Sequence, residues 1–441
     1  MNIEESLDYL MSTAKSKCDC FDALAGQDSS DGLSVFQGKV KDTEISNSVG
    51  VGIRVFKDGK PGYAFTERLT KEALDQMVAD AVSHTAFTKP LNITLPKPLI
   101  PGIDTVLYHE KINDCSLDEM REVCLKLESI ALKQDEIENV PYLGASRSES
   151  KVYLANSNGL LYSQHANYLS IGAGVVASRN DVKKLGVYNQ TVFDGADFDP
   201  EMVAHKAVSK ARSLLGAKTI ATGVYPVILS EEISGKIINM YASCFTAESV
   251  QKGTSKLKGK LSEIIASPCF TLVNDPTRMD LPGYESFDSE GVPTKRMDII
   301  ANGKLSSYLY NLETAAIDGI ESTGNASRSY AGKVGSGFQN LIVEPGGYST
   351  DALVSLFPRA VLITQLDGNT GCSAVSGELS IGAQGFYCEN GEVIHPVEGL
   401  TLSTNFFDLL KNVEGVGSEY NEHYSSIRVP ALAVSSIAVS N

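Results

Sequence analysis

Residues 226–244, PVILSEEISGKIINMYASC, are the stretch around which the rest of the chain is organised. Val227, Ile228 and Leu229 form a short apolar run that reads as a strand. Ser230 then stands where a helix N-cap belongs, with Glu231 and Glu232 in the first turn, where negative charge meets the positive end of the helix dipole. Ile233, Ile237 and Tyr241 recur every four residues and give the following helix one apolar face. A strand that delivers two carboxylates to a helix start suits acid–base chemistry. It is also how an ordinary well-capped helix looks, so this stretch alone leaves both readings open.

Downstream, the chain turns strongly β. Asn302-Gly303 predicts a hairpin joining Met297–Ile300 to Leu305–Tyr310, and Asn390-Gly391 predicts another joining Gly385–Cys388 to Val393–Pro396, because Asn-Gly supplies the two left-handed residues of a tight hairpin turn. Further strands are expected at Leu341–Glu344, Val361–Gln365, Gly399–Ser403 and Ile427–Val439, with a short helix near Phe406–Leu410. Many strands, few helices and abundant glycine predict a mostly antiparallel curved sheet or partial barrel.

Upstream, the pattern is mixed. Asn2 and Glu5 form a capping box for a helix over residues 3–18, and Ser116 and Glu119 form another for a helix with Leu117, Met120, Cys124, Leu127 and Ile130 inward. Thr70 caps a helix to about Thr85. Asp199, Pro200 and Glu201 start a fourth, which Gly216 is expected to end. Strands are expected around Leu33–Phe36, Ile45 and Val49–Phe56. Asp58-Gly59 turns the last of these into Tyr63–Thr66, and a run of short strands follows from about Glu138 to Phe193 with a hairpin at Asn158-Gly159. Pro90, Pro96, Pro98 and Pro101 mark an extended connector. The fold class is therefore α+β, with helices packed on a sheet in an N-terminal α/β half (residues 1–215, with the Pro-rich connector at 87–115). A β-rich half follows over residues 216–441.

The chain has 441 residues, 42% of them hydrophobic and 21% charged, as expected of a globular protein with more than one core. Its net charge of −16 argues against direct nucleic-acid binding. The one local basic run, Lys252–Lys260, lacks aromatic residues and reads as a solvated loop. No apolar run is long enough to cross a bilayer, and the acidic start MNIEESLDYL lacks the features of a signal peptide. The eight cysteines are scattered without a Cys-x-x-Cys pair, which suits reduced thiols. The expected location is the cytoplasm.

Most catalytic signatures are absent from the sequence. There is no P-loop and no Gly-x-Ser-x-Gly elbow, and Gly50-x-Gly52 and Gly335-x-Gly337 lack the third glycine of a dinucleotide site. Cys372 with His395 is a conceivable nucleophile–base pair, against an inert buried thiol. His109, Glu110 and Asp114 lie outside any predicted helix that would aim two ligands at one metal, so a surface histidine is the simpler reading. Asp288 and Glu290 precede Gly291 and a long hairpin. They place two carboxylates at a turn beside a rigid sheet, as a substrate edge or as plain turn chemistry.

Several stretches together resemble the TldD/PmbA family, and more closely its PmbA branch, also called TldE. They are SVGVGIRVFKDGKPGYA (Ser48–Ala64), FDSEGVPTKRMDIIANGKL (from Phe287), ESTGNA (Glu321–Ala326), NLIVEPG (Asn340–Gly346) and TGCSAVSGELSIGAQGFYCENGE (Thr370–Glu392). The resemblance covers nearly the whole chain in order. It implies an α/β N-terminal half and a β-rich C-terminal half enclosing a cavity between paired subunits, and peptidase activity on small or unfolded peptides. "Modulator of DNA gyrase" is an older family label. TldD members hold zinc through a His-Glu-x-x-x-His helix and a C-terminal cysteine. In this chain Glu231 and Lys236 replace the two histidines, Glu232 keeps the general-base position, and no cysteine follows Cys388. The resemblance thus implies no metal and no cofactor here, and zinc in a TldD-like partner of a heterodimeric metalloprotease. A metal-free homodimer that binds peptides as a scaffold, without cleaving them, is the alternative. Asp288, Glu290 and Gly291, with the glycine-rich run containing Gly371 and Gly377, are the candidate substrate cleft.

Overall fold

The computed structural model describes residues 1–98, 103–368, 371–423 and 425–441. Its first sheet contains β1 (Cys20–Phe36), β2 (Lys39–Lys57), β3 (Lys60–Thr66), β4 (Ile103–Leu107), β5 (Ile137–Asn156), β6 (Leu161–Arg179) and β7 (Val182–Val192). The order is β3-β2-β1-β5-β6-β4, with β7 also on β6. All neighbours are antiparallel except β4, which runs parallel to β6 from Ile103↔Tyr162 to Leu107↔Ala166.

Strand length is the main departure from the sequence reading. The short strands expected between Glu138 and Phe193 are three long ones, and β1 continues through Asp28-Ser29-Ser30-Asp31-Gly32, a run that reads locally as a turn. It stays extended because it pairs on both sides, Asp28 with Ser48 and Ser150, Gly32 with Glu44 and Ser146. Its polar side chains find partners across the ladder, with Arg147 on Asp31 at 2.6 Å and Ser148 on Ser30 at 3.2 Å. The hairpin at Asp58-Gly59 forms as expected, both residues with positive φ.

Four longer helices among the described residues cover this sheet in two groups. Helix α1 (Ile3–Thr13), with its Asn2/Glu5 capping box, and α2 (Lys71–His84), capped by Thr70, bury Leu7, Leu10, Leu74 and Met77 against Phe21, Ala23 and Ile53. Helix α3 (Leu117–Leu132), with its Ser116/Glu119 box, and α4 (Pro200–Ser213), capped by Asp199, bury Met120, Leu127, Val203 and Ala207 against Leu33, Val35 and Ile171. The first helix is shorter than expected, passing into a 3-10 turn at Ala14. Gly216 has φ +78 but lies beyond the C-cap at Leu214. The connector is less irregular than its prolines predict, since it contributes β4 and a short helix at Glu110–Asp114. Pro101 lies outside the described residues.

The second half is built on a closed barrel. Its strands are β8 (Gly223–Leu229), β9 (Arg359–Asp367), β10 (Glu378–Glu389), β11 (Glu392–Asn405) and β12 (Leu432–Ser440), ordered β11-β10-β9-β8-β12. Pairing of Thr401, Leu402 and Ser403 with Ser440, Val439 and Ala438 closes the ring. Only β8 and β9 are parallel. The expectation of a curved sheet or partial barrel is met and sharpened to closure. Helix α5 (Glu231–Tyr241) buries Ile233, Ile237 and Tyr241 in this half's main core, where Tyr241 stacks on Phe406 with ring centroids 4.3 Å apart. The Asn302-Gly303 hairpin is present but short, since the ladder ends at Leu305 and Tyr308 and Tyr310 turn into the core. Among the described residues no helix is long and apolar enough to cross a membrane.

Candidate functional site

The turn from β8 into α5 is anchored from the barrel side, where the Ser230 N–H donates to the Ile363 carbonyl at 3.0 Å. Ser230 occupies the N-cap position by backbone conformation, but its hydroxyl makes no capping bond. Glu231 accepts a hydrogen bond from the Thr350 hydroxyl at 2.7 Å. Glu232 lies between two ammonium groups, Lys210 of α4 at 2.5 Å on Oε2 and Lys236, one turn along its own helix, at 2.7 Å on Oε1. Burial alone would raise its pKa, but the two lysines hold the carboxyl below the usual glutamate range. It is therefore ionised at neutral pH with both oxygens engaged, an arrangement ill suited to taking a proton from water.

Lys210, Ser230, Glu231 and Glu232 line an open cavity of about 480 Å³ between α4, α5 and the segment 419–423. His423 also lines it. Its Nδ1 lies 3.0 Å from the Asn189 carbonyl, which fixes the proton on Nδ1, and its ring sits 4.7 Å from Tyr188. Burial pushes the imidazole pKa down. The Tyr188 hydroxyl donates to Glu422 at 3.2 Å, and burial together with Glu422 pushes that phenol up to about 12. Sequence reasoning missed His423 and Lys210, which no local pattern connects with Glu232.

A zinc centre of the kind the resemblance implies needs imidazole, thiolate or carboxylate donors converging with free lone pairs. Lys236, in an ion pair, offers none, and Glu232 has both oxygens bound to ammonium groups. Cys388 is buried in β10, its thiol directed at the Phe386 carbonyl. Among the described residues no three His, Cys, Asp or Glu side chains gather as a metal site would require. The residues at this turn do not fit the ion.

Asp288 and Glu290, expected as a substrate edge or as plain turn chemistry, lie in the interior. They are 1% exposed, with their oxygens turned inward. Asp288 accepts from the backbone N–H groups of Glu290 (2.9 Å), Val292 (3.0 Å) and Ala326 (2.9 Å). Burial, with the Glu290 charge next to it, pushes the Asp288 carboxyl up to about 7 against those three donors. Glu290 accepts from the Leu312 N–H at 2.8 Å and pairs with Arg54 at 2.6 Å. Arg54, wholly buried, also forks onto Asp22, directly opposite it in the β1–β2 ladder. Arg328 approaches the other Asp22 oxygen at 2.6 Å. Burial opposes the ionised form of both Asp22 and Arg54, but Arg328 and Arg54 lower the Asp22 pKa while Asp22 and Glu290 raise that of Arg54. The result is a buried network joining the first sheet to the segments 288–290 and 326–328. The residues on either side of Asp288, Phe287 and Ser289, line a cavity instead.

Glycines act here mainly by allowing segments of the chain to touch. A Cβ on Gly52 would overlap the Tyr330 backbone carbonyl, which explains why Gly50-x-Gly52 occurs without a nucleotide site. Gly291 (φ +83) packs against Leu160, where a Cβ would come within 2.6 Å. Gly371 (φ +100) and Gly377 (φ +73) close the loop between β9 and β10, a Cβ meeting Ser380 and Asn405 at 2.5 and 2.8 Å. The imagined Cys372–His395 pair is not formed. The loop pairs with Ser380 through Gly371, whereas His395 lies opposite Tyr387, seven residues or roughly 23 Å further along the strand.

Comparison with known proteins matches three family models in order along the chain. They are PmbA/TldA metallopeptidase domain 1 over residues 22–84, the central domain over 110–215 and the C-terminal domain over 222–441. The metalloprotease PmbA homologue of Haemophilus influenzae is 29% identical over 415 residues, 91% of this chain and 88% of the relative. A Thermotoga maritima crystal structure named for modulation of a DNA gyrase superimposes with a TM-score of 0.88 at 29% identity, covering all of both chains. TldE from Thermococcus kodakarensis shares the fold, with a TM-score of 0.87 at 22% identity over 99% of this chain and 100% of the other.

Proposed function

The chain belongs to the PmbA/TldD metallopeptidase family, and from that premise we propose that it is the metal-free, TldE-like subunit of a cytoplasmic heterodimeric metalloprotease. In this reading a TldD-like partner holds the zinc and cuts small or unfolded peptides, while this chain supplies fold and cavity wall. The observation that carries the reading is the state of Glu232. It keeps the position of the family's general base, yet Lys210 and Lys236 neutralise it and no histidine flanks it on the helix. A base bound to two ammonium groups has nothing to activate, and zinc has no donor set at this turn. If zinc bound in the partner, it would polarise a peptide carbonyl and lower the pKa of a bound water there.

The test is turnover of unstructured peptides by the purified chain alone, by a TldD-like chain alone, and by the mixture. The proposal expects none from this chain alone and turnover from the mixture above that of the partner alone. Peptide cleavage by the isolated chain would overturn it. Stable homodimers that bind peptide and ignore the partner would instead favour a non-proteolytic scaffold.

A further inference from the structure

Behind the Asp22–Arg54–Glu290 network lies a cavity of about 240 Å³ between the first sheet and the segments 285–289 and 326–339. One side is apolar, with Leu24, Val152 and Leu154 from β1 and β5 facing Phe287 and Phe338. The other side carries hydrogen-bond donors in need of acceptors. The Ser289 hydroxyl and the Arg328 Nε are both buried without a hydrogen-bond partner among the described residues. The Arg328 side chain is only 3% exposed and held from behind by Asp22. A buried guanidinium N–H and a buried hydroxyl without acceptors cost free energy, which a bound acceptor would recover. Glu285 is the one carboxyl among the lining residues. Burial pushes it up to about 7 in spite of its bond with Gln339, so near neutral pH much of it is uncharged and repels an anion weakly. Half-buried Ser150 and Gln164 stand at the rim.

We infer that this cavity binds the carboxylate of a small molecule with an apolar body, such as the end residue of a peptide. The carboxylate takes the Arg328 Nε–H and the Ser289 O–H, and the side chain packs on Leu24, Val152 and Phe287. An acyl group would extend toward Ser150 and Gln164. A charge-assisted bond from arginine is stronger than a neutral one, which selects carboxylate over carboxamide. The site belongs to this chain by itself and needs neither zinc nor a partner. Its failure, read by binding to the isolated chain, is therefore distinguishable from failure of the subunit reading, which is read by turnover in the mixture.

Calorimetric titration of the full chain with N-acetyl-L-leucine, N-acetyl-L-leucinamide and L-leucine tests this. The acid is expected to bind about tenfold more tightly than its amide, and Ser289→Ala to weaken the acid several-fold without lowering Tm. Arg328→Lys, which keeps a charge for Asp22 but loses the Nε donor, should do the same if it folds. Acylated leucine binding without free leucine supports a peptide terminus as the natural source, and equal binding supports a free amino acid. Equal affinity for acid and amide, or an unweakened Ser289→Ala variant, would overturn the site.

Discussion

Two carboxylates, Glu232 and Glu290, each bind cations, and their surroundings make these contacts physically unlike. Glu232 keeps 28% of its side chain exposed, and its partners Lys210 and Lys236 keep 37% and 50%. Water screens that cluster, and flexible lysines lose entropy in forming it, so each pair contributes little. Glu290 and Arg54 are fully buried, and Glu290 would be left as an uncompensated charge if Arg54 were lost. The helix turn that the family resemblance marks for chemistry is thus held by weak, replaceable contacts. A cluster outside any catalytic motif joins the two halves of the molecule.

The sharpest way to break this comparison is Arg54→Ala. It strands Glu290 in the interior and leaves Asp22 with Arg328 alone, and should cost about 3–5 kcal/mol, measured by denaturant unfolding; a loss below about 1 kcal/mol would remove the contrast. Gly52→Ala comes next, at about 1–3 kcal/mol, because the Tyr330 segment must move to admit a methyl group.

Glu285→Gln probes the same region through pH. Burial raises this carboxyl from 4.5 to about 7, so the folded state holds its proton more tightly than the unfolded chain does. The associated stability is fully present below about pH 4.5 and is lost as pH rises through about 7. The variant should therefore be more stable than the parent at pH 8, by on the order of 2 kcal/mol, with the advantage shrinking toward zero at pH 4. Thermal melts at the two values check it, and a pH-independent difference would contradict the assignment.

Glu232→Gln should have the smallest effect, under about 1 kcal/mol, and that effect should fade in high salt. A loss comparable to that of Arg54→Ala would mean the helix turn is as tightly held as the core network.

The fold was legible where its determinants are local. Asn2 with Glu5, Ser116 with Glu119, and Thr70 announce three helix starts within four residues each. Asn302-Gly303 and Asn390-Gly391 announce hairpins for the same reason. The long strands were not legible, because Asp28–Gly32 has turn composition and is held extended only by neighbours distant in the chain. The site divides the same way. Glu231 and Glu232 were found at the helix start and Lys236 through the family resemblance, whereas Lys210 and His423 come from elsewhere in the fold. Arg54 and Glu290 are 236 residues apart, so no pattern pairs them. A signal was nevertheless present. Arg54 between Ile53 and Val55, and Asp22 between Phe21 and Ala23, are charges in apolar strands, and a buried charge requires a partner.

The most direct test of the central claim is the zinc content of the purified chain and of the complex it forms with a TldD-like partner, measured by elemental mass spectrometry. The account predicts far less than one zinc per copy of this chain, and about one per heterodimer, all of it retained by the partner on separation. Stoichiometric zinc in the isolated chain would contradict it.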